Sequence, residues 1–175
     1  GNVEMRTAGF EEVHAFGYAG EDSARLYASG YGSLVEDRQD LEFDGGDGQD
    51  IAHVYDSRGS DVFTARPLEA EMTGDGFSVQ IAKLEEIHGY AMNGGKDEAH
   101  LYDSAGDDFF VNKTDWARLY GEGYHLRAKE FEQVVAHASE GIDEAKLNDS
   151  RDDDVFHASP TGATLFNGAK LYKVE

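Results

Sequence analysis

The chain has 175 residues, 36 Asp and Glu against 15 Lys and Arg, a formal net charge of −21, and no Cys. That length supports one domain, and 39% hydrophobic with 11% aromatic residues can supply its core. The charge argues against sequence-nonspecific nucleic-acid binding and against docking on anionic lipid, both of which need clustered Lys and Arg. The absence of Cys removes disulfides, thiolate metal sites and cysteine nucleophiles, and no apolar run approaches the ~18 residues of a membrane span. The sequence opens Gly1-Asn2-Val3, with no initiator Met or signal peptide, and reads as a processed form or an excised piece of something longer.

A repeat organises the chain. Ala24-Arg25-Leu26-Tyr27-Ala28-Ser29 is a weak first copy, followed by Ala52-His53-Val54-Tyr55-Asp56-Ser57, Ala99-His100-Leu101-Tyr102-Asp103-Ser104 and Ala145-Lys146-Leu147-Asn148-Asp149-Ser150, at offsets of 28, 47 and 46 residues. Flanking segments keep the register. Phe10-Glu11-Glu12-Val13-His14 matches Leu84-Glu85-Glu86-Ile87-His88 and, more loosely, Phe131–Val135; Ala70–Phe77 matches Ala117–Tyr124, with Ala163–Phe166 following. The short first interval lacks a part corresponding to residues 77–96. A repeat that loses a whole unit holds two stacked units, each of about 24 residues in three strands of ~5 with turns of ~3. The expectation is one domain over 1–175, with repeats at about 24–51 (truncated), 52–98, 99–144 and 145–175 (partial).

Small or apolar residues alternate with polar ones in Ala99–Tyr102, Ala117–Tyr120 and Tyr124–Ala128, between connectors rich in Gly, Asp, Asn and Ser. Residues 128–147 would also suit an amphipathic helix, but the sister segment His88–Gly95 is a poor helix. The predicted fold is therefore all-β: a parallel β-helix, or solenoid, built from 46–47-residue repeats of two coils each, with a closed barrel or sandwich as the alternative. The expected inward ladders are Val54, Leu101 and Leu147; Phe63, Phe110 and Phe156; Met72, Leu119 and Leu165; and Ile87 and Val134. Ala52, Ala99, Ala145, Gly89 and Ala136 suit a narrow interior.

Each repeat carries an acidic turn: Asp56-Ser57-Arg58-Gly59-Ser60-Asp61-Val62-Phe63, Asp103-Ser104-Ala105-Gly106-Asp107-Asp108-Phe109-Phe110 and Asp149-Ser150-Arg151-Asp152-Asp153-Asp154-Val155-Phe156. The Gly-x-Asp-x-apolar half resembles the calcium-binding nonapeptide of RTX-type β-rolls. Asp152 replaces its Gly in the third copy, and Asp-Ser replaces the leading Gly-Gly in all three. The whole pattern also looks like the tandem repeats of large extracellular bacterial proteins. The resemblance implies calcium and an extracellular or cell-surface setting. Asp56, Asp61, Asp103, Asp107, Asp108, Asp149, Asp153 and Asp154 are the candidate ligands, since Ca²⁺ takes six to eight oxygens. With the motif on alternate units, equivalent Asp residues are expected ~10 Å apart. Shared ions would then need oxygens from the intervening unit, within Asn93–Asp97 or Gly141–Glu144. The structural alternative is that Asp56, Asp103 and Asp149 only form Asx-turns. Asp44, Asp47 and Asp50 are a looser candidate group.

The seven His residues show no zinc-helix spacing and read as outward strand residues. Tyr55, Tyr102, Tyr120 and Tyr124 read as ladder packing or as a sugar-stacking face. The functional expectation is a non-catalytic extracellular repeat module (spacer, adhesin or surface-layer segment) rigidified by calcium, with a polysaccharide or cell-surface partner and open ends able to self-associate. The alternative is a carbohydrate-binding module or a polysaccharide lyase or uronate epimerase on a β-helix, with His88, Tyr90, His100 and Arg118 as the residues to test.

Overall fold

A computed structural model describes residues 2–6, 12–17, 20–27 and 39–175. Phe10 and Glu11, Ala28 and Ser29, and residues 30–38 of the short first interval lie outside the described residues. Those described form an all-β solenoid of about four turns, without a helix among them. Residues 128–147 are strands and turns.

Two sheets form the walls. The first, sheet A, contains β1 (Asn2–Arg6), β3 (Ser23–Tyr27), β5 (Ile51–Tyr55), β9 (Glu86–Tyr90), β11 (Phe109–Lys113), β12 (Trp116–Gly121), β13 (Tyr124–Lys129) and β15 (Glu144–Lys146). Sheet B contains β2 (Glu12–Phe16), β4 (Gln39–Asp44), β6 (Val62–Arg66), β7 (Glu69–Gly74), β8 (Phe77–Ala82), β10 (Glu98–Tyr102), β14 (Gln133–His137), β16 (Val155–Ser159), β17 (Gly162–Phe166) and β18 (Leu171–Val174). Successive coils pair in parallel, as in β5–β9 and β10–β14, while β6–β7–β8, β11–β12–β13 and β16–β17–β18 are antiparallel meanders.

Each complete repeat thus has five strands rather than six: a single strand, a meander lying in the opposite sheet, and a single strand back in the first. The repeat crosses between sheets an odd number of times, so equivalent strands alternate walls. β5 lies in sheet A, its counterpart β10 in sheet B, and the next counterpart β15 in sheet A again. All single strands within a sheet run parallel. Connections from A to B therefore gather along one edge of the solenoid, and those from B to A along the other.

Period-two alternation produces the core, as in the pattern of half-buried and buried residues along β5 and β10. Val54, Leu101, Phe63, Phe110, Met72, Leu119, Leu165, Ile87 and Val134 are buried as the ladders predict, with Ala52, Ala99, Gly89 and Ala136, and Leu147 packs against them partly buried. Phe156 (58% exposed) and Ala145 depart from the expectation. Both sit on terminal strands, β16 and β15, where no further strand stacks over them.

Candidate functional site

The alternation of walls decides which acids meet. Asp56 and Asp61 flank the β5–β6 connection, and the β9–β10 connection stacks over the same edge. Asp97 thereby joins them, and the three carboxylates lie within 4.8 Å of one another. They are 0%, 1% and 3% exposed. Asp103, Asp108 and Asp143 repeat the arrangement on the opposite edge, with ligand atoms again within 4.8 Å. Equivalent turns are thus on opposite edges, not ~10 Å apart along one line. The intervening connection supplies the third acid and hydrogen-bond donors to the turn. The Asn93 backbone N–H and side-chain amide donate to Asp56 (2.8 Å each), and the Ser139 N–H (2.8 Å) and Oγ (2.6 Å) donate to Asp103.

The turn is built locally as well. Ser57 N–H donates to Asp61 Oδ2 (2.9 Å), as Ser104 N–H does to Asp108 (2.9 Å) and Ser150 N–H to Asp154 (3.0 Å). Stacked turns are stitched by acids. The Asp61 N–H donates to Asp97 Oδ1 (2.8 Å), Asp108 N–H to Asp143 Oδ1 (3.0 Å) and Asp22 N–H to Asp50 Oδ1 (2.7 Å). Gly74 and Gly121 make room: a Cβ there would fall 1.9 Å from Asp61 Oδ1 and 1.8 Å from Asp108 Oδ1. One difference between the copies adds a partner to the second triad. Tyr124 donates its hydroxyl to Asp108 Oδ1 (2.8 Å) where the first copy has Phe77.

Asp107 stands outside its cluster; its Oδ1 accepts the Ile142 N–H at 2.9 Å. Asp149 and Asp153 are exposed, and Asp154 keeps a buried Oδ1 without a hydrogen-bond partner. Among the described residues no third acid joins them in a cluster. Of the looser group, Asp44 pairs with Lys83 (2.8 Å), Asp47 is exposed, and Asp50 is buried with Oδ2 unpartnered. Asp97 and Asp143 are the ligand candidates that the motif left unassigned. Their signal was a second Gly-x-Asp, at Gly95-Lys96-Asp97 and Gly141-Ile142-Asp143, matching Gly20-Glu21-Asp22 and Gly48-Gln49-Asp50.

Three buried carboxylates repel one another. Burial, then the nearby Asp61, Glu132 and Asp56, push Asp97 up to about 6, against a backbone hydrogen bond that lowers it. Burial also raises Asp56, Asp61 and Asp50. A folded pKa above the unfolded value means that the native chain holds the proton more tightly. Metal-free stability therefore falls as pH rises from about 4 to about 6. The expected drop in melting temperature over that window is about 5 °C. Asp97→Asn should flatten it, and a melting temperature that climbs with pH in EDTA would contradict the arrangement. A cation is the other remedy for this charge. The donors are all oxygens, suited to Ca²⁺.

Charge is segregated between the walls. Among the described residues, the outer face of sheet A carries Arg25, Lys113, Arg118, Arg127, Lys129 and Lys146, six of the 15 Lys and Arg, against Glu86 and Glu144. Sheet B carries Glu42, Asp44, Glu69, Glu71 and Glu98 on its outer face, against Arg66 and Lys173. On sheet A, Arg118 faces Arg127 directly across β12–β13, a like-charge pairing that is ordinarily destabilising. Neither has an ion-pair partner among the described residues, and both Nε atoms are buried without hydrogen bonds. Their guanidiniums lie 4.7 and 5.5 Å from the Trp116 ring centroid.

The His residues are not scattered. His53, His88 and His125 form a chain of edge-on rings with centroids 5.0 and 5.6 Å apart, on the same face. Burial lowers His88 to about 4, with Glu86 opposing and His53, His125 and Arg127 assisting. Burial lowers His53 and His125 as well. Tyr90 and Arg118 share this face, whereas His100 lies on sheet B, 2.9 Å from His137. The four residues suggested for a lyase do not converge. No family model, curated protein or solved structure matches the chain.

Proposed function

We propose that the chain is a non-catalytic repeat module of an extracellular or cell-surface protein, a spacer, adhesin stalk or surface-layer segment, rigidified by calcium. The observation that carries this reading is the recurrence of one acid triad, buried at Asp56–Asp61–Asp97 and more open at Asp103–Asp108–Asp143, where only Asp108 is buried. A scaffold repeats its polar features in every copy, whereas a catalytic centre breaks the repeat. Calcium sites of extracellular modules work at 10⁻⁴–10⁻³ M, and binding there would join successive coils through acids from two connections. Calcium would also relieve part of the repulsion of a −21 charge. Melting with Ca²⁺, with Mg²⁺ and in EDTA tests the reading.

The outer face of sheet A favours a second element of this reading, binding of an anionic polysaccharide. Trp116 and Tyr120 offer flat rings, and Arg118 and Arg127 offer guanidiniums, without ion-pair partners among the described residues, that match sugar carboxylates or sulfates. Polygalacturonate should retard the chain in affinity gels while neutral glucan does not, and the double change Arg118→Ala with Arg127→Ala should weaken retardation at least tenfold. Equal retardation by both polymers would remove charge recognition.

A further inference from the structure

We propose that Glu86, His88 and His125 form a binding site for a divalent transition-metal ion of the Zn²⁺ class, separate from the acidic turns. Strand geometry assembles it: Glu86 and His88 are two apart on β9 and share its outer face, and His125 is the register partner of Glu86 on β13. The three ligand atoms lie within 4.8 Å of one another. His88 Nε2 is 2.8 Å and His125 Nδ1 3.4 Å from Glu86 Oε1. Tetrahedral bonds of 2.0–2.1 Å separate neighbouring ligand atoms by about 3.3 Å, so an ion fits with small side-chain adjustments.

The donor chemistry is distinct from that of the acid triads. Two imidazoles and one carboxylate suit Zn²⁺, Co²⁺ or Ni²⁺, while calcium prefers oxygen alone. His88 is 7% exposed, and its Nε2 is buried without a hydrogen bond, facing Glu86. Its other nitrogen, Nδ1, is 3.4 Å from the Tyr90 hydroxyl, which in turn is 3.1 Å from His53 Nδ1. Metal-bound His residues are oriented in this way, with the non-ligating nitrogen held by a neighbour. Arg127 pairs with His88 across the strands, but its guanidinium lies over Trp116, 5.5 Å from the ring centroid. Three protein ligands leave a fourth position open to water or to a ligand on the aromatic, cationic face.

The test is titration of the tag-free, EDTA-treated full chain with Co²⁺, read by visible absorbance, and with Zn²⁺ by calorimetry. The expected result is one site with the intense absorbance of four-coordinate Co²⁺ and a dissociation constant in the micromolar range or tighter. His125→Ala and Glu86→Gln, at half-exposed positions that leave the core intact, should each weaken it at least tenfold. Tyr90→Phe should weaken it by about tenfold through loss of the orienting hydroxyl. Asp97→Asn should leave it unchanged, which separates it from the calcium sites. Absence of saturable Co²⁺ binding, or binding unaffected by both His125→Ala and Glu86→Gln, would overturn the site.

Discussion

Millimolar Ca²⁺ added to the EDTA-treated chain is expected to raise its melting temperature by about 10 °C or more, and Mg²⁺ far less. A ligand at a hundredfold excess over its dissociation constant stabilises the native state by about 2.7 kcal/mol per site. Two sites double that, and each kcal/mol moves a domain of this size by about 2–4 °C. The selectivity follows from the donors. Ca²⁺ accepts many oxygens in irregular geometry, whereas Mg²⁺ demands a tight octahedron and retains its water. Asp97→Asn and Asp143→Asn should each remove about half of the rise, because each takes one acid from one triad. Comparable shifts with Ca²⁺ and Mg²⁺ would reduce the triads to turn-forming acids whose charge is screened non-specifically.

The second large effect belongs to Gly95→Ala. Gly95 has φ +122°, and a Cβ there would lie 1.9 Å from the Gly59 carbonyl oxygen of the preceding coil. Gly48 meets Gly20 O at 1.7 Å and Gly141 meets Gly106 O at 2.1 Å in the same way. The stacked turns therefore touch backbone to backbone. An added methyl group must separate them, breaking the Asp61 N–H to Asp97 hydrogen bond. The expected cost exceeds about 4 kcal/mol, with a fall in melting temperature beyond 10 °C or loss of soluble protein. Gly94→Ala is the control. Gly94 also has positive φ (+95°) but has nothing within 4 Å of a built Cβ, so it should cost only the left-handed backbone strain of about 1–2 kcal/mol. Similar losses for the two variants would show that strain, not coil-to-coil contact, sets the requirement for Gly95.

Much of this was legible from residue pattern alone. Period-two alternation and tiny polar turns specify strands, because only a strand places every second residue in a core. Recurrence at offsets of 46–47 specifies stacked units. Val54, Leu101, Phe63, Phe110, Met72 and Leu119 are buried for that reason. The acids of each turn, Asp56 with Asp61 and Asp103 with Asp108, were also legible, since a turn brings together residues that are near in sequence.

What the tertiary structure decided was which distant groups meet. In the complete repeats, hydrogen bonds between stacked turns join residues 35–37 apart, not 46–47. The antiparallel meanders make each repeat cross between walls an odd number of times, and no local pattern records that parity. Parity sends equivalent acidic turns to opposite edges and brings Asp97 and Asp143 to complete them. It likewise places His88 beside His125 on sheet A and His100 beside His137 on sheet B. Composition could state that the chain is acidic, but only the pleat and the strand register gather six of its 15 Arg and Lys with Trp116 on one outer face. The strands, the turns and the repeat were readable in advance because they depend on neighbours in the chain. The pairing of coils determined the sites, because a site depends on neighbours in space.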